Sequence, residues 1–279
     1  MTQYVSHTEL LQHAFERICA HSTHLFGVRP NVSPVFIGSG TLVRVGTRRC
    51  VLTAAHVWTV IKPPLRPRDG FPKLALTAQS NPAVALDRDL FQVRYLATPA
   101  TVDWGPDLAL IEVPPTHASD IEARGQAFYD LARRRNHPLI AEAVAANEPR
   151  VVVGTPGEFT RTWTTGEESS LVAQASAGTL LIASRLLAVH SSGDHDYVDL
   201  SLNDKRDDGF PKRYGGMSGS GLWCLGREGP DGTFTCNLQD ILLDGVVYLH
   251  SQGNTPAEEM IRAHGRKSIY AALLGAVAP

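Results

Sequence analysis

From residue 35 onward the chain alternates short β-rich runs with turn residues. Residues 35–45 and 49–53 flank a Gly46-Thr47 turn, and further runs follow at 74–77, 91–95 and 108–113, with Pro and Gly punctuating the connections. A second group opens at 150–154 and continues through 180–182, 186–189, 197–202, 221–224 and 245–249. Short strands in two groups predict an all-β fold of two small antiparallel barrels. Three stretches carry helical periodicity instead. Residues 7–24 place Leu10, Leu11, Ala14, Phe15, Ile18 and Cys19 on one stripe. Residues 118–147, rich in Ala, Arg, Glu and Leu and interrupted near Pro138, predict one or two helices. Residues 256–277 place Met260, Ile261, Ile269, Tyr270, Leu273 and Leu274 on one face. The expected organisation is an N-terminal helical segment (1–33), a first barrel (34–117), a helical inter-barrel insertion (118–148), a second barrel (149–252) and a C-terminal helix (253–279). No internal repeat of fixed period occurs.

Composition narrows the setting. A chain of 279 residues, 43% of them hydrophobic, can bury one large core or two small ones. A formal net charge of −2 gives no reason to expect nucleic-acid binding, and the one basic tract, Arg133-Arg134-Arg135, suits a solvated helix face. No run reaches the ~18 apolar residues of a membrane span. Residues 1–24 lack the continuous apolar core and cleavage site of a signal peptide, so the cytoplasm is the expected address. In that reducing setting Cys19, Cys50, Cys224 and Cys236 are expected as buried thiols. Cys224 and Cys236 flank the turn Gly229-Pro230-Asp231-Gly232, which leaves a bridge across a hairpin open.

Chemistry concentrates in three places: Thr53-Ala54-Ala55-His56, Asp107-Leu108-Ala109-Leu110-Ile111 and Gly215-Gly216-Met217-Ser218-Gly219-Ser220-Gly221. A serine hydroxyl needs an imidazole to take its proton, and the imidazole needs a carboxylate to fix its tautomer. A tetrahedral oxyanion needs backbone N–H donors, and glycine lets a loop turn sharply enough to aim them. Ser218, His56 and Asp107 fit those roles, with the N–H groups of Gly216 and Ser218 as donors. Ser220 is the rival nucleophile and Asp103 the rival acid. Ser218 is preferred because it follows the tight turn, and Asp107 because an apolar strand follows it directly. His190, Asp194, His195 and Asp196 lack a regular metal-ligand spacing and suit a polar hairpin loop.

These motifs, in the order His, Asp, Ser, resemble the trypsin-like (chymotrypsin-fold) serine peptidases, closest in style to bacterial cytoplasmic and high-temperature-requirement proteases. Gly38-Ser39-Gly40-Thr41-Leu42 and Val152-Val153-Gly154-Thr155-Pro156-Gly157 are similar to that family's segments ahead of the His and at the opening of its second barrel. The resemblance spans most of residues 34–252. It implies two six-stranded antiparallel barrels with the site in the cleft between them, and a serine endopeptidase working through an acyl-enzyme on a protein or peptide substrate, without cofactor or metal.

Two departures from the family pattern matter. Secreted members carry an Asp before the nucleophile, which pairs with a newly cut N-terminus. Met217 stands there, so control is expected from a regulatory protein partner, the added helices or a mobile loop. The family's primary pocket base falls at Lys212, beside Arg213, with the strand ending at His250 as a wall. These residues either favour an acidic substrate side chain or, for Lys212 and Arg213, are surface charges. Two rivals stand beside the peptidase: a catalytically silent, protease-like peptide-binding protein, and an esterase, whose triad order would be Ser, Asp, His.

Overall fold

The computed structural model describes residues 7–63, 70–77, 84–97, 106–142, 144, 148–165, 172–177, 179–202, 211, 213–228, 234–235, 241–251 and 260–277. Helix α1 (His7–Cys19) leads into β1 (Ser22–Val28), β2 (Val35–Val45) and β3 (Arg48–Thr53), then helix α2 (Ala55–Ile61). Strands β4 (Lys73–Thr77), β5 (Val84–Asp87), β6 (Gln92–Ala97) and β7 (Leu108–Glu112) follow. The connecting segment holds α3 (Pro115–Ala123), β8 (Tyr129–Asp130), α4 (Leu131–Arg134) and α5 (Pro138–Ala141). The second half contains β9 (Arg150–Gly154), β10 (Thr160–Thr165), β11 (Val172–Ala177), β12 (Leu180–Ser192), β13 (His195–Leu202), β14 (Gly221–Cys224), β15 (Arg227–Glu228), β16 (Phe234–Thr235), β17 (Leu242–Ser251) and β18 (Met260–His264). A π-helical turn (Ser268–Leu273) and α6 (Leu274–Val277) end the described chain.

The first half forms an eight-stranded sheet in the order β5-β4-β1-β2-β3-β7-β6, with β8 running parallel to β2. The second closes into a six-stranded barrel, β12-β13-β18-β17-β14-β9. This is the all-β architecture of two units expected from the strand pattern.

Period-2 geometry assigns the core. Leu42 and Val51 point into the first sheet's interior with Leu25, Val57, Trp58 and Ile111. Val43, Cys50 and Leu52 point to its outer face and meet Val151, Val153 and Trp223 of the second barrel. The helical segments pack into that same seam through Ala14, Ile18, Leu131, Leu139, Ile269 and Leu273. Trp223 is its centre, stacked on His21 at 5.6 Å and edge-on to Tyr129 at 5.1 Å.

Two strands lie outside the expected boundaries. The first sheet starts at Ser22, not residue 34, because β1 inserts between β2 and β4. Residues Ser22 to Gly27 are buried throughout, which leaves no apolar/polar alternation to read. The stretch expected as a single C-terminal helix opens with β18, which closes the second barrel between β13 and β17. Its Ile261 and Ala263 face the barrel core, and this short period-2 signal was masked by the helical spacing that follows. In the inter-barrel segment the first helix begins at Pro115 and β8 separates the helices.

Beneath the seam, four charges are buried together. Arg150 Nε donates to Asp244 Oδ2 (2.6 Å) and Arg266 Nη2 to Glu148 Oε2 (2.5 Å), while Arg150–Glu148 and Arg266–Asp244 close the ring. Arg266 also donates to the Leu139 carbonyl (2.6 Å), tying α5 to the second barrel. Two cations against two anions leave no net charge, so buried ionisation is tolerated only while all four remain. Asp244→Asn should therefore cost about 3–5 kcal/mol in chemical denaturation. A loss under about 1 kcal/mol, the range of an exposed pair, would show that the ring is not needed for stability.

Cys19, Cys50 and Cys224 are buried thiols outside any disulfide, and burial pushes the Cys50 and Cys224 thiols up to about 12. Cys236, the suggested partner of Cys224, lies outside the described residues. Among the described residues no helix is long and apolar enough to cross a membrane.

Candidate active site

His56 sits in the first turn of α2, three residues beyond β3, and Asp107 immediately precedes β7. Strands β3 and β7 are paired with Thr53 opposite Ala109, which brings the two residues together. The Asp107 carboxylate accepts twice from His56, from the backbone N–H at Oδ1 (2.8 Å) and from Nδ1 at Oδ2 (2.5 Å). An ionised carboxylate can only accept, so the imidazole proton is on Nδ1 and Nε2 offers a lone pair. Asp107 is buried, with its side chain 11% exposed, while the His56 side chain is 41% exposed. The carboxylate is thus shielded and the imidazole is open to solvent.

Ser218 lies on the loop before β14. The Met217 N–H donates to the Tyr214 carbonyl (3.1 Å), Gly219 N–H to Val247 (2.7 Å) and Ser220 N–H to Met217 (2.9 Å). Among the described residues, the N–H groups of Gly216 and Ser218 donate to no acceptor. Gly216 and Gly219 have φ of +94° and +92°, the left-handed region. A Cβ on Gly216 would collide with the Phe36 ring, and one on Gly219 with the Ser39 carbonyl oxygen. The glycines around Ser218 thus meet both a backbone and a space requirement.

Strand β2 stitches this loop to the His56 side of the molecule. Ser39 N–H donates to the Ser218 carbonyl (2.9 Å), Ser39 Oγ to the Gly216 carbonyl (3.0 Å) and Thr53 Oγ1 to the Ser39 carbonyl (2.9 Å). A Cβ on Gly38 would stand 3.0 Å from Val57 Cγ2 and 3.2 Å from the Ser218 carbonyl oxygen, so one residue of β2 separates α2 from the loop. Among the described residues no hydrogen bond joins Ser218 Oγ to His56. Such bonds commonly tighten only when substrate binds. The role of the Gly38-Ser39 segment as the stitch is visible in these hydrogen bonds and not in the spacing of the sequence.

The other candidate residues separate. Ser220 Oγ is fully buried against Met217 Sδ (3.8 Å), whereas Ser218 is partly exposed. Asp103 and Lys212 lie outside the described residues. Arg213 is exposed, and His250 packs edge-on against Tyr214 at 5.4 Å, joining the Ser218 loop to β17. Met217 is buried in the second barrel's core beside Val152 and Leu222. His190 approaches Asp199 (3.0 Å), while the Asp196 carboxylate accepts from the backbone N–H of Lys267 (3.1 Å) and Ser268 (2.7 Å). Those two residues of the polar hairpin are thus engaged in structural contacts.

No family model and no curated protein sequence matches this chain. Among solved structures, the Rv3671c protease of Mycobacterium tuberculosis in its active form is similar over 100% of this chain and 93% of its own, at 14% identity and a TM-score of 0.51. An inactive serine-to-alanine mutant of the same protein matches over 100% and 98%, at 13% identity and a TM-score of 0.48. The fold is the chymotrypsin-like double barrel. The neighbours do not bear on the narrower likeness to high-temperature-requirement proteases. Within this fold His56 and Asp107 come from the first sheet and Ser218 from the second barrel.

Proposed function

We propose that the protein is a serine endopeptidase that cleaves peptide bonds of a protein substrate. The observation that carries this is the two-point contact of Asp107 with His56, which leaves Nε2 as a base on the side of the molecule where β2 holds Ser218. Ser218 Oγ attacks the scissile carbonyl carbon and its proton passes to His56 Nε2. The N–H groups of Gly216 and Ser218 receive the oxyanion. The C–N bond breaks as His56 returns the proton to the leaving amine. Water then attacks the acyl ester, giving its proton to His56 and releasing Ser218. The Asp107 charge stabilises the imidazolium in both halves. Arg213 and His250 are candidates for a subsite taking an acidic side chain, and a regulatory partner is the proposed source of control.

Fluorophosphonate labelling followed by intact mass tests this. Wild type should gain one adduct, and Ser218→Ala none. An adduct that persists in Ser218→Ala would place the nucleophile elsewhere. Absence of an adduct in wild type, with or without peptide present, would favour a silent peptide-binding protein.

A further inference from the structure

Asp107 precedes the first ladder residue of β7, since pairing of β7 with β6 begins at Leu108. Its carboxylate is committed to His56, so the position of its main chain is set by what holds its N–H. That N–H donates to Nε2 of His264 (3.1 Å), the last residue of β18 in the opposite barrel.

The His264 ring is fully buried and caged by aromatic side chains. Tyr248 of β17 lies 4.7 Å away, inclined at 35°, Tyr197 of β13 at 5.2 Å, and His195 of β13 at 6.0 Å, nearly perpendicular. Among the described residues these rings, with Asp107, are the titratable groups that face it. A ring that accepts at Nε2 must carry its proton on Nδ1. Burial, with His195 adding to it, pushes its pKa down to about 3 and keeps that acceptor available. Nδ1 has no hydrogen-bond partner among the described residues. A buried N–H left unpaired disfavours the fold, so this orientation has a cost that packing alone does not explain.

We infer that His264 is a positioning residue: a neutral imidazole of the second barrel that fixes the main chain of Asp107 and, through it, the orientation of His56. This rests on the Ser218–His56–Asp107 mechanism proposed above. It gives the closure of the second barrel by β18 a consequence at the first barrel's acid. The same contact makes the geometry of His56 and Asp107 depend on how the two barrels dock.

The test is a pair of variants in the full-length protein. His264→Phe keeps a buried ring and removes the acceptor; His264→Gln restores an acceptor near the Nε2 position. Two quantities are read: the rate of fluorophosphonate labelling, and the titration midpoint of His56 by NMR. Loss of Asp107's alignment should slow labelling about tenfold to a hundredfold. It should also lower the His56 midpoint by about one pH unit, because imidazolium loses part of its carboxylate partner. His264→Gln should recover most of both. A histidine that only fills space would leave the midpoint unmoved, so a folded His264→Phe with wild-type midpoint overturns the inference.

If wild type does not label at all, the nucleophile assignment fails, while the midpoint still decides the role of His264. If His264→Phe does not fold, nitrogen chemical shifts of wild type decide it. Nδ1–H with an accepting Nε2 from pH 5 to 8 is expected, and an Nε2–H tautomer or an imidazolium in that range overturns the inference.

Discussion

Asp107→Asn should slow acylation of Ser218 by about 10⁴-fold while the fold persists. The amide oxygen can still accept from the His56 backbone N–H, as Oδ1 does now at 2.8 Å, so α2 keeps its anchor. The amide nitrogen then faces His56 Nδ1 and can only donate to it. The ring proton is driven to Nε2, the atom that receives the proton of Ser218 in the proposed mechanism. The fault lies in the tautomer and not in the packing, so thermal stability should change little. The time course of fluorophosphonate adduct formation, with a melting curve for each variant, measures both. A loss of less than tenfold would remove Asp107 from the orienting role.

Lowering the pH from 7.5 to 5 should cost the folded protein about 4 kcal/mol through two histidines, His24 and His264, at about 2 kcal/mol each. Both are fully buried. Burial lowers the pKa of His24 from 6.5 to about 4 and that of His264 from 6.5 to about 3. The unfolded chain takes up a proton at each as the pH drops through 6.5, and the folded chain does not. Stability from this source is complete above pH 6.5 and falls as the pH moves down toward the folded values. Net stabilities of domains are only about 5–15 kcal/mol, so the effect is a large share. Urea unfolding at the two pH values measures it, and His24→Gln isolates one contribution. That variant should lose about 2 kcal/mol of the pH dependence, whatever its stability at pH 7.5, and His21, which burial also lowers to about 4, should keep its own share. A wild-type unfolding free energy that does not change between pH 7.5 and 5 would contradict the burial of both rings as neutral species.

The strand pattern and the motifs were legible because they depend on near neighbours. Residues 35–53 read as a hairpin because β-rich runs flank a turn at Gly46, which adopts φ +61°. The glycines of the Ser218 loop read as a tight turn because the loop needs two residues at positive φ. What escaped was buried on both faces or short. β1 has no alternation because it is enclosed by β2, β4 and the core. β18 is five residues long and runs into a stretch whose spacing is helical. His264 was hidden with it, since a histidine in a presumed helix gives no hint that its Nε2 reaches a residue 157 positions away.

By itself the sequence determined the all-β class, the order His56, Asp107, Ser218, and the placing of each beside its own strand or glycine turn. Those properties follow from local backbone preferences and from periodicity, which a single segment carries. Only the tertiary structure decided which partners meet. It turned His56 onto Asp107 through the β3–β7 pairing, set Ser39 as the stitch to Ser218 and hung the Asp107 main chain on His264. It also gathered Glu148, Arg150, Asp244 and Arg266 into one neutral ring. These contacts join segments far apart in the chain. Each depends on donors and acceptors held within hydrogen-bond reach, and the register and docking of the two barrels set that reach where composition and spacing cannot.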